Sequence, residues 1–320
     1  MPKNPRIPIT ALAALGVVLL LTGCSIQQVA VNRLGDALAS SGTTFAADDD
    51  PELVEAAVPF SLKLMESLLA ESPRHRGLLG ATAAGFTQYS YAFVQQDAEA
   101  AAMDHDESSS AASARARRLY LRARDYGLRG LDVASPGFRI LFDSDASAAV
   151  ELVGRDDVDL LYWTAAAWAA AIGLGKDDPG LVADLPRVST LIDRALAVDE
   201  SWNRGSIHAF MITWQLVRPD PAGDPEQLAR FHFERAVELS RGNYSGPWVT
   251  WAESVCMPRA DLDCFEEALR AALAVDPQAE PDLRLANTVM QRRASWLLEH
   301  ADRWFLPPLA DDNLVTEELP

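Results

Sequence analysis

Residues 188–199 read VSTLIDRALAVD and residues 265–277 read FEEALRAALAVDP, and the spacing of their apolar side chains decides the fold. Val188, Ile192, Ala195 and Leu196 fall at i, i+4, i+7 and i+8, which is one face of a helix. Phe265, Leu269, Ala272 and Leu273 repeat that spacing, and Ala229, Phe233, Ala236 and Val237 carry it between them. The steps from Ile192 to Phe233 and from Phe233 to Leu269 are 41 and 36 residues, near the ~34-residue tetratricopeptide period. Ala195 to Asp199 and Ala272 to Pro277 end as the second helix of such a repeat does. Trp202 to Val217 supplies a preceding helix, where Gly205 and Ala209 let a neighbour approach. Each hairpin exposes an apolar face that another hairpin must cover. The expected fold is all-α: stacked antiparallel helical hairpins in a divergent tetratricopeptide-like solenoid with a concave side.

Working outward, almost every stretch from Pro51 onward has helical periodicity, and no run alternates as a strand would. The pattern predicts helices over roughly 51–71, 76–103, 112–132, 155–174, 186–199, 202–217, 225–240, 246–256, 262–275 and 281–306. Pro73, Pro136, Pro179, Pro186, Pro219, Pro221, Pro225, Pro247, Pro258, Pro277, Pro281 and the Pro307-Pro308 pair fall between or at the ends of these stretches, where a missing N–H does least harm. Met103 to Ser110, an acidic and polar segment around His105, reads as an exposed loop. The helical domain is expected over 51–308, with an acidic tail over 309–320.

The N-terminus has a different character. Lys3 and Arg6 precede a run of about 15 residues, Ile7 to Leu21, that holds no ionisable group, the layout of a secretory signal and short of the ~20 residues a membrane span needs. Leu21-Thr22-Gly23-Cys24 matches a bacterial lipobox. Residues 1–23 are therefore expected to be cleaved and Cys24 lipidated, with several acyl chains giving durable anchorage. Ser25, where an Asp would favour retention at the inner membrane, directs the expectation to the periplasmic side of the outer membrane. Polar residues over 24–50 read as a tether.

The chain has 28 basic and 46 acidic side chains and a net charge of -18. It lacks the basic cluster of a nucleic-acid binder, so DNA and RNA are not expected partners. Loss of Lys3 and Arg6 with the leader would make the remainder two units more negative still.

Catalytic signatures are absent from the sequence: no His-Glu-x-x-His, Gly-x-Ser-x-Gly or Gly-x-Gly-x-x-Gly occurs. Gly173-Leu174-Gly175-Lys176 lacks the upstream glycine and the Ser/Thr of a phosphate loop and reads as a helix end. The five histidines are scattered, without metal-ligand spacing. No enzyme activity, cofactor or metal is expected. Cys256 and Cys264 are either a disulfide closed across a Pro-containing spacer or two separately buried thiols. Tyr162, Trp163 and Trp168 lie among alanines, mostly as core, with the unpartnered rings left to line a cavity or a contact surface. Tyr162, Trp163, His208 and Trp214 are the candidate groove or ligand contacts.

The lipobox at Cys24, Leu161-Tyr162-Trp163 running through Ala165 to Trp168, Leu191 to Asp199 followed by Gly205-Ser206-Ile207-His208, and Leu285-Ala286-Asn287 with Gln291-Arg292-Arg293-Ala294 together resemble the T-component lipoproteins associated with TRAP (tripartite ATP-independent periplasmic) transporters. The resemblance runs from about Pro51 to Pro308. It implies an outer-membrane-anchored periplasmic protein of tetratricopeptide-like hairpins that binds the solute-binding P-component and helps capture a hydrophobic ligand. A homotrimer with an apolar central pore is also implied. The Cys256/Cys264 pair and the acidic loop around His105 are not part of that pattern. The alternative expectation is a tetratricopeptide-type scaffold for outer-membrane or cell-wall assembly.

Overall fold

Aspartate and proline set where several helices begin. Asp50, Asp178 and Asp224 each accept hydrogen bonds from backbone N–H groups of the following turn, and each is followed by a proline at the first helical position. Asp145 and Asp261 cap in the same way without the proline.

The computed structural model describes residues 31–40 and 42–305, and these contain helices and no strand. In order they are α1 (31–40), α2 (Gly42–Ala46), α3 (Pro51–Glu71), α4 (Arg76–Tyr89), α5 (Gln96–Met103), α6 (Ser108–Ala134), α7 (Phe138–Ser144), α8 (Ala146–Val150), α9 (Val158–Gly173), α10 (Pro179–Val182), α11 (Leu185–Val198), α12 (Ser206–Val217), α13 (Pro225–Leu239), α14 (Gly246–Trp251), α15 (Leu262–Ala274) and α16 (Arg284–Glu299). None of the described helices is long and apolar enough to cross a membrane. The leader, Cys24 and the 309–320 tail lie outside the described residues.

The faces named by the sequence spacing are the buried ones. Val188, Ile192, Ala195, Ala229, Ala236, Phe265, Leu269 and Ala272 are fully enclosed, whereas Leu273 is exposed. α11 packs on α9, α13 on α12 and α15 on α14, so consecutive helices pair as hairpins. α4, α6 and α9 pack together as the N-terminal body. Its closest approach depends on glycine. A Cβ on Gly127 of α6 would sit 2.1 Å from Thr164 Oγ1 and 3.3 Å from the Thr164 backbone, and one on Gly130 would sit 2.4 Å from Leu160.

Several expected elements come out differently. The single helix expected over 76–103 is α4, a π-helical segment Ser90–Gln95, and α5. Thr82, Thr87 and Ser90 donate to the carbonyls four residues earlier, hydroxyl competition of the kind that bends helices. A second π segment, Ala252–Cys256, follows α14. The helix expected over 202–217 begins at Ser206, because Asn203, Arg204 and Gly205 all have positive φ (44°, 56° and 86°). α7 and α8 fill a stretch where the pattern predicts no helix, since each is too short to show periodicity. Residues 31–40 and 42–46, expected as polar tether, are instead helical and packed on the body: Val31 and Leu38 touch the cluster of Met65, Leu69 and Leu79. Of the loop expected over Met103 to Ser110, Asp104 to Glu107 are the non-helical part, while Met103 ends α5 and Ser108 to Ser110 open α6.

Cys256 and Cys264 are joined by a disulfide, with Cα atoms 5.6 Å apart, which ties the second π segment to the first turn of α15. Closing so small a loop contributes about 2–3 kcal/mol.

Gly127→Ala should lower stability by about 1–3 kcal/mol, because Thr164 must surrender its rotamer and its bond to the Leu160 carbonyl. Gly173→Ala meets nothing within 4 Å and should stay within about 0.5 kcal/mol of the parent. Urea unfolding followed by circular dichroism makes the comparison.

Candidate functional site

Tyr162 and Trp163, adjacent on α9, meet Trp202 from the left-handed turn ahead of α12. Ring centroids lie 4.7 Å apart for Tyr162–Trp202 and 6.2 Å for Trp163–Trp202. Tyr162 also meets Phe210 of α12 at 6.3 Å, and Phe210 stacks on Trp214 at 5.6 Å. The positive-φ residues make this possible, because they turn the chain sharply between Trp202 and α12. Gly205 is required there twice over: its φ suits glycine, and a Cβ would stand 2.9 Å from Leu239 Cβ of α13. Arg204 anchors the turn to Glu280 at 2.9 Å.

Tyr162, Trp163, Trp202 and Phe210 are half-buried, while Trp214 is enclosed. The four candidate contacts therefore separate. Tyr162 and Trp163 belong to a partly open aromatic wall, Trp214 backs it from the core with its indole N–H unpartnered in the protein, and His208 faces elsewhere. Burial pushes the Tyr162 hydroxyl well above its ordinary value, so it is a neutral donor.

His208 is 1% exposed and forms a chain with His232 of α13. The Nδ1 atoms of the two rings are 2.8 Å apart, His208 Nε2 lies 3.3 Å from Glu200 Oε2, and Gln215 Nε2 lies 3.3 Å from His232 Nε2. One assignment of protons satisfies every link with both imidazoles neutral. Gln215 donates to His232 Nε2, His232 Nδ1–H donates to His208 Nδ1, and His208 Nε2–H donates to Glu200. Arg235, 2.5 Å from Glu200, holds that carboxyl below the usual range. His208 and Glu200 line an open hollow of about 590 Å³ with Arg155, Leu196, Asp199 and Phe231.

A third polar cluster lies where the two π segments meet α16. Arg293 bonds Glu253 Oε1 at 2.6 Å and Glu99 Oε2 at 2.7 Å. Gln95 Nε2 donates to Glu99, and Tyr120 donates to Gln95. Tyr91, on the first π segment, points its hydroxyl at Met290 Sδ of α16, 3.7 Å away. Burial holds the Glu253 carboxyl above its ordinary value despite Arg293. A π turn shifts the helix by one residue and re-aims the side chains beyond it; here it brings Tyr91 and Glu253 to one guanidinium. Among the described residues, no group of three or more His, Cys, Asp or Glu could hold a metal.

Aromatic wall, neutral histidine chain and ion cluster together hold no nucleophile–base pair, and they suit binding. The chain matches the TRAP transporter T-component family over residues 47–305. It belongs to that family. An uncharacterised protein of Treponema pallidum (strain Nichols) is 30% identical over 322 residues, covering 95% of this chain and 99% of its own length. A T-component is an accessory part of a transporter, and its family is not one of enzymes.

The sequence singles out Tyr162, Trp163, His208 and Trp214 and gives no sign of His232, Gln215, Glu99, Glu253 and Arg293 as partners. His208 and His232 lie 24 residues apart across a hairpin, and the Arg293 cluster joins positions almost 200 residues apart in the chain. Periodicity within one helix carries no signal of either.

The histidine chain predicts a pH effect. His232 is held down to about 4, by burial first and then by the neighbouring His208, against 6.5 when free. The unfolded chain takes up a proton that the folded one refuses, so this stability is complete above about pH 6.5 and declines as pH falls toward 4. The loss should reach about 2–3 kcal/mol. His232→Gln, which keeps a hydrogen-bonding side chain, should flatten the stability change between pH 7 and 5 relative to the parent.

Proposed function

We propose that this protein is a lipid-anchored T-component that binds the periplasmic solute-binding P-component of a TRAP transporter and helps capture a hydrophobic small molecule for it. The observation that carries the reading is the family match over residues 47–305, nearly the whole helical body. The lipobox at Cys24, after a leader of the right length, supports anchorage through acyl chains. Ser25 supports the periplasmic side of the outer membrane. The half-buried wall of Tyr162, Trp163, Trp202 and Phe210 supports a hydrophobic ligand, because rings left partly open are the ones with area still to bury.

Two experiments test the proposal. Growth with radiolabelled palmitate should label the wild type and not Cys24→Ala; equal label in both ends the lipoprotein reading. Affinity purification from detergent-solubilised envelopes should recover a solute-binding protein of the TRAP class, and its absence when both proteins are present in the extract ends the partner reading. The mass of the purified particle reports whether the protomers associate as trimers.

A further inference from the structure

The way the chain enters the fold fixes which end of the molecule can approach a membrane. α1 is fastened to the corner between α3 and α4. Ser72 Oγ bonds Asn32 Oδ1 at 2.8 Å, and His75 Nε2 lies 3.2 Å from the Asn32 carbonyl and 3.3 Å from Asp36 Oδ1. His75 Nδ1 meanwhile accepts from the Leu78 N–H and caps α4. Gly35 makes the fit possible, since a Cβ there would stand 2.8 Å from His75 Nε2. Further along, Arg284 bonds the Ala47 carbonyl at 2.9 Å, so the segment is held at both ends.

Six residues lie between Cys24 and Val31, so seven chain steps join them. At full stretch they span at most about 24 Å. If Cys24 carries the lipid, as the proposed function holds, the α3–α4 corner stays within that distance of the bilayer. Charge is distributed to match. Arg33, Arg74 and Arg129 are exposed at this corner, and none is ion-paired to a carboxylate among the described residues; Arg129 reaches the corner by donating to the Pro73 carbonyl. Leu34 is exposed beside them. Glu71, Asp36 and Asp156 are exposed acids nearby, and Arg76 of the same corner is paired with Asp157. At the other end of α6, about 30 Å away along the helix, Asp104, Asp106 and Glu107 form an exposed acidic loop. In a chain of net charge -18, the three arginines at the anchored corner have no carboxylate partner among the described residues, although Arg129 also lies over the Tyr126 ring, and they can meet anionic headgroups while the acids of the opposite loop are kept from them.

We infer that the α3–α4 corner, with Arg33, Arg74 and Arg129, is a docking surface for anionic phospholipid headgroups, and that the loop around His105 points away from the membrane. This inference rests on the lipoprotein reading. To test it, the full-length acylated protein is reconstituted in phosphatidylethanolamine–phosphatidylglycerol vesicles with a photo-crosslinking phenylalanine derivative at position 74 or at position 107. Lipid adducts are then counted by mass spectrometry, which also reports whether Cys24 is acylated. Both positions are exposed, and circular dichroism checks that each variant is folded. Several-fold more lipid adduct at 74 than at 107 is expected, with the excess shrinking when the vesicles hold no phosphatidylglycerol. Equal or reversed adducts in protein whose Cys24 is acylated overturn the orientation and leave the lipoprotein reading intact. Absence of the acyl group from protein purified from membranes overturns the lipoprotein reading and the orientation with it.

Discussion

The Arg293 guanidinium, shared between Glu99 and Glu253, is the constraint on which the arrangement depends. Glu99 belongs to the N-terminal body and Glu253 to the penultimate hairpin, so one buried cation joins segments from opposite ends of the chain. Arg292, next in the helix, reaches Glu52 of α3, and Arg284 reaches the Ala47 carbonyl. Contacts therefore run from α4 to α9, across Tyr162 and Phe210 to α12, on to α14 and α16, and back to the first hairpins. One Arg against two carboxylates leaves a negative charge in a shielded place. Taking ions out of water is expensive, and the cluster persists because each oxygen named has a further donor or a close guanidinium. Losing the arginine would leave two half-buried carboxylates without their shared cation, a worse state than losing one acid.

Helix pairing is legible in the sequence because it is local: three helices show the same i, i+4, i+7, i+8 face, and most of those residues are the enclosed ones. The starts of α3, α11, α13, α14 and α15 are marked by Asp or Pro, which act through backbone groups within one turn. Three things are not legible. The first π segment follows buried hydroxyls that compete for carbonyls, which leaves apolar spacing almost unchanged, and the second carries no such sign in its own residues. The left-handed turn at Asn203 and Arg204 uses residues that rarely adopt positive φ, and its cause is tertiary: Arg204 is held by Glu280 and Trp202 by Tyr162. Residues 31–40 are polar enough to read as tether, yet they fold as a helix to which His75 and Ser72 offer partners from another part of the chain.

The candidate site divides along the same line. Tyr162 and Trp163 are visible as large rings among alanines, and α9 does present them to a partly open wall. His208 is visible as a lone histidine in a repeat helix. Its partnership with His232, and through that with Gln215 and Glu200, turns it from an isolated base into one link of a neutral relay whose protons are all committed. Such a relay fixes the pairing of α12 with α13 by direction as well as by area, since each ring must be turned the correct way for the next to bond.

An open solenoid can gain or lose a hairpin at its end, because the last unit touches only its neighbour. In this chain the last described helix, α16, is instead fastened to α3 and α5. Adding or deleting a pair of helices between them would rotate α16 away from Glu99, Glu52 and Ala47 at once. The number of units is thereby locked by geometry, and relatives of this chain should vary in their loops and termini while conserving length through the body.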